Sequence, residues 1–315
     1  MTQSACSVII RAHNEEEHIG RLLTGILEQT VKNVQIILVD SGSRDATVAI
    51  ASRYPVEVVH IHPQDFTFGR SLNLGIARAK ADMVVIASAH VYPVYPDWLE
   101  LLLKPFDDPR VALTYGKQRG GLTSKYSELQ LFKHWYPDQP VERQGHPFCN
   151  NANAAIRRAT WEQHPYDELL SGLEDLAWAR WAQEQNYGIT YVADAEVIHV
   201  HSETWKGIYN RYRRESMAFK QIYPQENFHF GDFLRLWLSN TWSDWRAAAN
   251  EGGLGREWLN ISRFRYMQFW GTFQGYRRSG PLTWQLKQTF YYPGEKTEPN
   301  NAPRRVEPIL YDREK

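Results

Sequence analysis

The chain has 315 residues, 43% hydrophobic and 23% charged, and its 36 basic and 36 acidic side chains balance to a formal net charge of zero. That length is ample for a buried core and suits one large domain or a domain with an extension, and the even charge gives no case for bulk nucleic-acid binding. Two cysteines without metal-type spacing, Cys6 and Cys149, fit a reducing cytosol; no signal-peptide pattern opens the sequence, and no stretch reaches the roughly 18 consecutive apolar residues of a membrane span.

The first third alternates. Cys6–Ile10 predicts a buried strand and Glu15–Thr30 a helix, with acids in its first turn where the helix dipole favours them. Val34–Asp40 is the next strand, Ser43–Tyr54 a helix with Ser43 or Asp45 near its N-cap, and Val56–Ile61 a third strand. Gly69–Ala81 predicts a helix, Asp82–Ala87 a strand, and Pro96–Phe106 a helix with proline at its start. Near-continuous apolar strands alternating with helices imply an α/β fold with a mostly parallel sheet between helices. Arg110–Gln118 is a further strand, ended by a turn at Arg119-Gly120-Gly121. A short strand and a helix start follow within Phe148–Pro165, then a helix over Gly172–Gly188 that stops at its glycine, then a strand or strand pair over Ile189–Ser202. Most of the 12 tryptophans follow Trp161, and from Thr204 the pattern is helical. The domain reading is 1–203, a helical region 204–292, and a loose proline-bearing tail 293–315.

Ligands of such sheets bind beyond the carboxyl ends of the strands. The residues there are Arg11-Ala12-His13-Asn14, Asp40-Ser41-Gly42-Ser43 and Ser88-Ala89-His90. Asp40 can accept from a base or ribose, or simply hold a turn. Glu174-Asp175 at a helix start are either functional acids or ordinary first-turn acids. His199-x-His201 places two imidazoles on one strand face, as a metal pair or as a solvated one. Asn151 and Asn153 can hold ligand hydroxyls, sugar hydroxyls if the ligand is a glycan, or serve a turn. Trp178 can stack on such a ligand or pack on the sheet.

Taken in order, "SVIIRAHNEE", "VDSGSRDAT", "SLNLGIARAKADMVVIASAH" with "DWLE", "NNANAAIRR" and "GLEDLAWARWA" resemble the motif layout of family 2 glycosyltransferases of the GT-A fold, over roughly the first two-thirds of the chain. The resemblance implies nucleotide contacts from Ala12, Asn14 and Asp40, with Ser41, Asn73, Ser88 and Ala89 around them. Leu72-Asn73 stands where many relatives have Arg-Asn, so Arg70 is the substitute arginine. It implies Asp175 as general base, beside Glu174, in an inverting transfer from a nucleotide-diphosphate sugar to a glycan or lipid-linked acceptor. Ser88-Ala89-His90 falls where the family has Asp-x-Asp. The polypeptide N-acetylgalactosaminyltransferases look similar in using Asp-x-His with a distant histidine, so His90 with His199 or His201 is the implied metal set, manganese favoured over magnesium. The rival is a metal-independent site with Lys206, Arg211 or Arg214 as the cation. A non-catalytic nucleotide-sugar or glycan binder is the alternative function. The expected location is cytoplasmic, at or near the inner membrane face, with the aromatic C-terminal helices as an acceptor, dimer or membrane surface.

Overall fold

The computed structural model describes residues 4–278 and 282–292; the expected loose tail, 293–315, lies outside the described residues. Strand β1 (Ser7–Ala12) is central in an eight-stranded sheet. Its side chains alternate: Ile9 enters the core on one face, Val8 and Ile10 the core on the other. Helix α1 (Ile19–Leu27) buries Ile19, Leu22, Leu23 and Ile26, an i, i+3, i+4, i+7 set. Then come β2 (Gln35–Asp40), α2 (Thr47–Ala51), β3 (Val56–His60), α3 (Phe68–Ile76) and β4 (Met83–Ser88). Strands β3, β2, β1 and β4 lie side by side and parallel, as the alternating pattern implies.

The rest of the sheet is mixed. After β5 (Val91–Pro93) and α4 (Trp98–Leu103) come β6 (Val111–Gly120), α5 (Tyr126–Trp135), β7 (Asn153–Arg157) and α6 (Arg158–Gln163). Helix α7 (Glu174–Glu184) and β8 (Gly188–His199) complete it, in the order β3-β2-β1-β4-β7-β6-β8-β5. Strand β7 runs antiparallel to β4 and β6, β5 antiparallel to β8, and β6 parallel to β8.

Several boundaries differ from the sequence expectation, each for a local reason. The acids of Glu15–Glu17 lie outside α1: the Glu15 N–H donates to Thr47 Oγ1, and Glu16 accepts from the Ala46 N–H ahead of α2. The helix expected to stop at Gly188 ends at Glu184, because Asn186 takes the left-handed conformation (φ 66°) and Gly188 opens β8. The expected turn at Arg119-Gly120 is still strand, paired with Ile198 and His199. Strand β5 and helix α5 were not foreseen. Both build the site.

The C-terminal helices are α8 (Trp205–Ile222), α9 (Phe230–Asn250), α10 (Leu254–Tyr276) and α11 (Trp284–Tyr291). Arg265 and Asp244 form a buried two-pronged ion pair between α10 and α9. A Cβ at Gly271 would come within 2.5 Å of the Tyr209 carbonyl, so α10 presses on α8 at main-chain distance. Helix α11 turns back to the sheet: the Tyr291 hydroxyl donates to the Ser171 carbonyl, and the Tyr292 hydroxyl to that of Ser41.

Candidate active site

The carboxyl ends of β1 and β4 open into a cleft of about 660 Å³, closed by the start of α7, the end of β8 and one face of α8. Arg11, Asn14, Ser88, His90, Asn151, Glu174, Asp175, His199, His201 and Arg211 all line it, so residues spread over 200 positions of sequence share one space. A larger groove of about 790 Å³ on the other face of α7 contains none of the expected site residues.

One end is acidic. Leu173 precedes α7 in the left-handed conformation (φ 57°), costly for a residue with a Cβ, and it turns the chain so that Glu174 and Asp175 enter the cleft. Arg11 Nη1 sits 3.0 Å from Glu174 Oε1. The Asn151 N–H donates to Asp175 Oδ2 at 3.1 Å and the Leu176 N–H to Oδ1 at 2.8 Å. Burial, followed by the neighbouring charge of Glu174, pushes the Asp175 pKa up to about 7, against the pull of those two N–H groups and of Arg11.

The other end holds three histidines. Strand β5 pairs Val91 with His199, and the Val200 N–H donates to the His90 carbonyl, so the two chain segments are laced together. The His90 and His199 rings stack with centroids 5.0 Å apart, and His199 Nε2 lies 2.9 Å from His201 Nε2. One ligand atom from each of His90, His199 and His201 falls within 4.8 Å of the others. Each ring meets an oxygen at Nδ1, all at 2.7 Å: Glu15 for His90, Gln118 for His199 and Glu128 for His201. Burial, then neighbouring cationic groups, lowers the pKa of His199 and His201 well below the usual range and keeps them neutral. At His90 burial acts the same way, but the charge and hydrogen bond of Glu15 outweigh it and raise the pKa.

Between the two ends, Phe68 carries Arg11 on its ring at 4.6 Å and Arg214 at 4.7 Å. Arg211 is engaged by Glu128 and Glu203, both at 2.9 Å. Among the described residues the nearest acid to Arg214 is Glu215, at 3.9 Å, and the buried Nε of Arg214 has no hydrogen bond.

Several expected site residues have other work. Trp178 is 1% exposed in the core and donates to the His164 carbonyl, so it offers no ring to a sugar. Asn153 is fully buried where the β6–β8 register shifts between Gly116 and Gln118. It bridges the Lys117 and Ala195 carbonyls and accepts from Trp98 Nε1, satisfying groups the interrupted ladder leaves over. A Cβ at Gly116 would run into that same Ala195 carbonyl. Asn151 lines the cleft, but its side chain is turned inward to Glu174 and Tyr166. Asn73 holds the segment at Tyr166–Glu168 and the Trp161 indole. Arg70 and Lys206 are exposed and do not line the cleft. Ala12, Asp40, Ser41 and Ala89 are buried at the strand tips; Asp40 accepts from the Gly42 and Ser43 N–H groups and meets His60.

Sequence reasoning missed Glu15, Gln118, Glu128, Phe68 and the pairing role of Arg11. Only Glu15 carried a signal, in the unbroken "HNEEEH". Glu128 sits on the unforeseen α5, and Gln118 is aimed by a β-bulge.

A family model described as Glycosyl transferase family 2 matches residues 7–164. The chain is 27% identical to the O-antigen chain rhamnosyltransferase RfbN of Salmonella typhimurium strain LT2 over 223 residues, 65% of this chain and 69% of that one. It is 28% identical to the O-antigen chain rhamnosyltransferase WbaN of Salmonella anatum over 198 residues, 59% of this chain and 62% of that one. Among solved structures it resembles the mannosyltransferase PcManGT from Pyrobaculum calidifontis in complex with GDP-Man and Mn2+, with a TM-score of 0.58 at 19% identity, covering 88% of this chain and 85% of that one. It also resembles TarS of S. aureus in complex with UDP, with a TM-score of 0.50 at 14% identity, over 85% and 90% of the two chains. These neighbours bear out the fold: a GT-A type sheet, mostly parallel and flanked by helices, followed by C-terminal helices.

Proposed function

The chain belongs to glycosyl transferase family 2, and from that premise we propose that it moves a sugar, with inversion, from a nucleotide-diphosphate sugar to an acceptor hydroxyl in glycan synthesis. The observation that carries this reading is the environment of Asp175. A carboxyl whose pKa is raised to about 7 in a cleft can take a proton near neutral pH, whereas an ordinary surface aspartate is too weak a base. Asn151 fixes Oδ2, Leu176 fixes Oδ1, and Arg11 keeps the neighbouring Glu174 paired. A non-catalytic binder has no use for that arrangement.

In this reading Asp175 accepts the acceptor's hydroxyl proton as the oxygen attacks the anomeric carbon, and the nucleotide diphosphate leaves from the opposite side. Ser88-Ala89-His90 takes the place of the family's Asp-x-Asp. The donor set fits a divalent ion: three imidazoles, two of them held neutral, present ligand atoms within 4.8 Å with every Nδ1 occupied by an oxygen. Nitrogen ligands favour manganese over magnesium. A cation there would offset charge developing on the leaving diphosphate. Arg214, with no acid closer than 3.9 Å among the described residues, is the arginine suited to meet the same charge; Arg211 is held by two glutamates, and Lys206 does not line the cleft. The named activity of the Salmonella relatives supports a deoxyhexose donor such as a nucleotide-linked rhamnose, and a growing glycan chain as acceptor.

Among the described residues no helix is long and apolar enough to cross a membrane. Exposed Phe230, Leu234, Leu238 and Trp242 recur every fourth residue along α9. That stripe supports the C-terminal region as a surface for a membrane or for a second copy; liposome sedimentation and light scattering separate the two.

The experiment is a panel of nucleotide sugars assayed for transfer and thermal stabilisation, with EDTA and with added Mn2+. Turnover that is lost in EDTA and restored by Mn2+ supports the metal-dependent enzyme. Full turnover in EDTA removes the metal, and binding without turnover on any donor removes the enzyme.

A further inference from the structure

Three carboxylate or amide oxygens meet three imidazoles in the cleft, each at Nδ1. A carboxylate only accepts, so Glu15 and Glu128, each at 2.7 Å, call for a proton on Nδ1 of His90 and His201; the Arg211 guanidinium also approaches His201 Nδ1, but at 3.3 Å, and the shorter Glu128 contact outweighs it. In its neutral form each of those rings keeps a lone pair on Nε2, the atom that would ligate a metal. With the Gln118 oxygen on His199 Nδ1, the third ring presents the same face. His199 and His201 then point two lone pairs at each other across 2.9 Å, a repulsive contact unless a cation accepts both. Gln118 can turn its amide over, and its buried nitrogen has no hydrogen-bond partner among the described residues. The two glutamates have no such freedom.

We propose that Glu15 and Glu128 are positioning residues that orient the rings of His90 and His201, each through its Nδ1, and so build a cation site from three imidazoles. This rests on the metal reading of the cleft. It adds two acids, 113 positions apart in sequence, to a site whose expected ligands are all histidines. Glu15 is itself held in place, since its N–H donates to Thr47 Oγ1 at 2.7 Å and its loop carries Asn14 at the cleft edge. Glu128 is held by Arg211, whose Nη2 meets the same Oε1 at 2.9 Å. The two glutamates would supply, through the rings, the negative charge that the histidines lack. Oxygen partners of ligating histidines typically change metal affinity about 10–100-fold when altered.

The test is direct Mn2+ binding to the full chain without any sugar donor, read from the free-ion electron paramagnetic resonance signal. Wild type, Glu15→Gln, Glu128→Gln and Glu15→Asp are compared, with melting temperatures as the fold control. An amide can face Nδ1 with its NH2, so each glutamine variant frees the tautomer as well as removing the charge. The expected result is Mn2+ affinity about 10–100-fold weaker in both glutamine variants, with near-wild-type affinity in Glu15→Asp. Should Glu128→Gln melt early because its buried partner Arg211 is left unpaired, Glu15→Gln decides, because the Glu15 side chain is 17% exposed and away from that pair. Wild type that binds Mn2+, with glutamine variants within twofold of it, overturns the positioning role alone. Wild type that binds no Mn2+ overturns the metal reading, and the positioning role falls with it.

Discussion

The two ends of the cleft are buried alike and respond in opposite ways. At the acid end, loss of water raises the Asp175 pKa, so the carboxyl becomes a base that works near neutral pH. At the histidine end the same loss of water lowers His199 and His201, so they stay uncharged and free to ligate. One physical cause yields a proton acceptor at one end and neutral donors at the other. The difference lies in which form of each side chain carries the charge. The two ends also differ in construction: the acids come from one helix start, whereas the histidines need β5, β8 and the oxygens of three further segments.

The sharpest way to break this contrast is at the acid end. Asp175→Asn should lower kcat by about 10²–10⁴-fold, the span of a general base, while nucleotide affinity measured by calorimetry stays unchanged. An equal loss of nucleotide affinity would make Asp175 a binding group and erase the distinction. At the histidine end, His199→Ala should lower kcat about a hundredfold or more, since cation stabilisation of a leaving group contributes several kcal/mol. Added Mn2+ should not restore it, in contrast to wild type stripped with EDTA.

Arg214 lies between the ends and tests whether the diphosphate is shared. Arg214→Met should raise the donor KM about tenfold, the value of about 1.5 kcal/mol for one hydrogen bond to a charged group. The acceptor KM should not move. The smallest effect is a shift in pH dependence. Asp175 works as a base only when deprotonated, so kcat/KM should rise as pH climbs through about 7. Glu174 is the like charge that holds the Asp175 pKa up, so Glu174→Gln should move that limb to lower pH. A limb that stays in place, or moves up, would assign the ionisation to another group.

The sequence shows the parallel half of the sheet clearly, because each of its strands is an apolar run closed by a polar tip. The resemblance, rather than any local pattern, groups His90 with His199 or His201, and all three rings come together in the cleft. The β5–β8 pairing that joins them was invisible, since Val91–Pro93 is three residues long and ends in proline. Glu128 was invisible for a similar reason: α5 has a weak apolar stripe and buries Ser127 and Glu128 rather than large aliphatics. Trp178, Asn153 and Asn73 could not be placed from sequence because polar and aromatic residues beside a motif look alike whether they face a ligand or complete the fold. For Asn153 the deciding feature is the β6–β8 register shift, which has no local sequence mark. Glu15 was assigned to a helix start because acids favour that place. Asn14 in the left-handed conformation (φ 55°) instead delays the helix and sends Glu15 to His90.

The central claim is a single inverting displacement with Asp175 as the base. The most direct measurement is the anomeric configuration of the first product, followed by proton nuclear magnetic resonance during turnover of a matched nucleotide sugar, with wild type and Asp175→Asn run side by side. The account predicts a product of opposite anomeric configuration to the donor from wild type, and none at the same enzyme concentration from Asp175→Asn. Retained configuration, or undiminished turnover by Asp175→Asn, would contradict it.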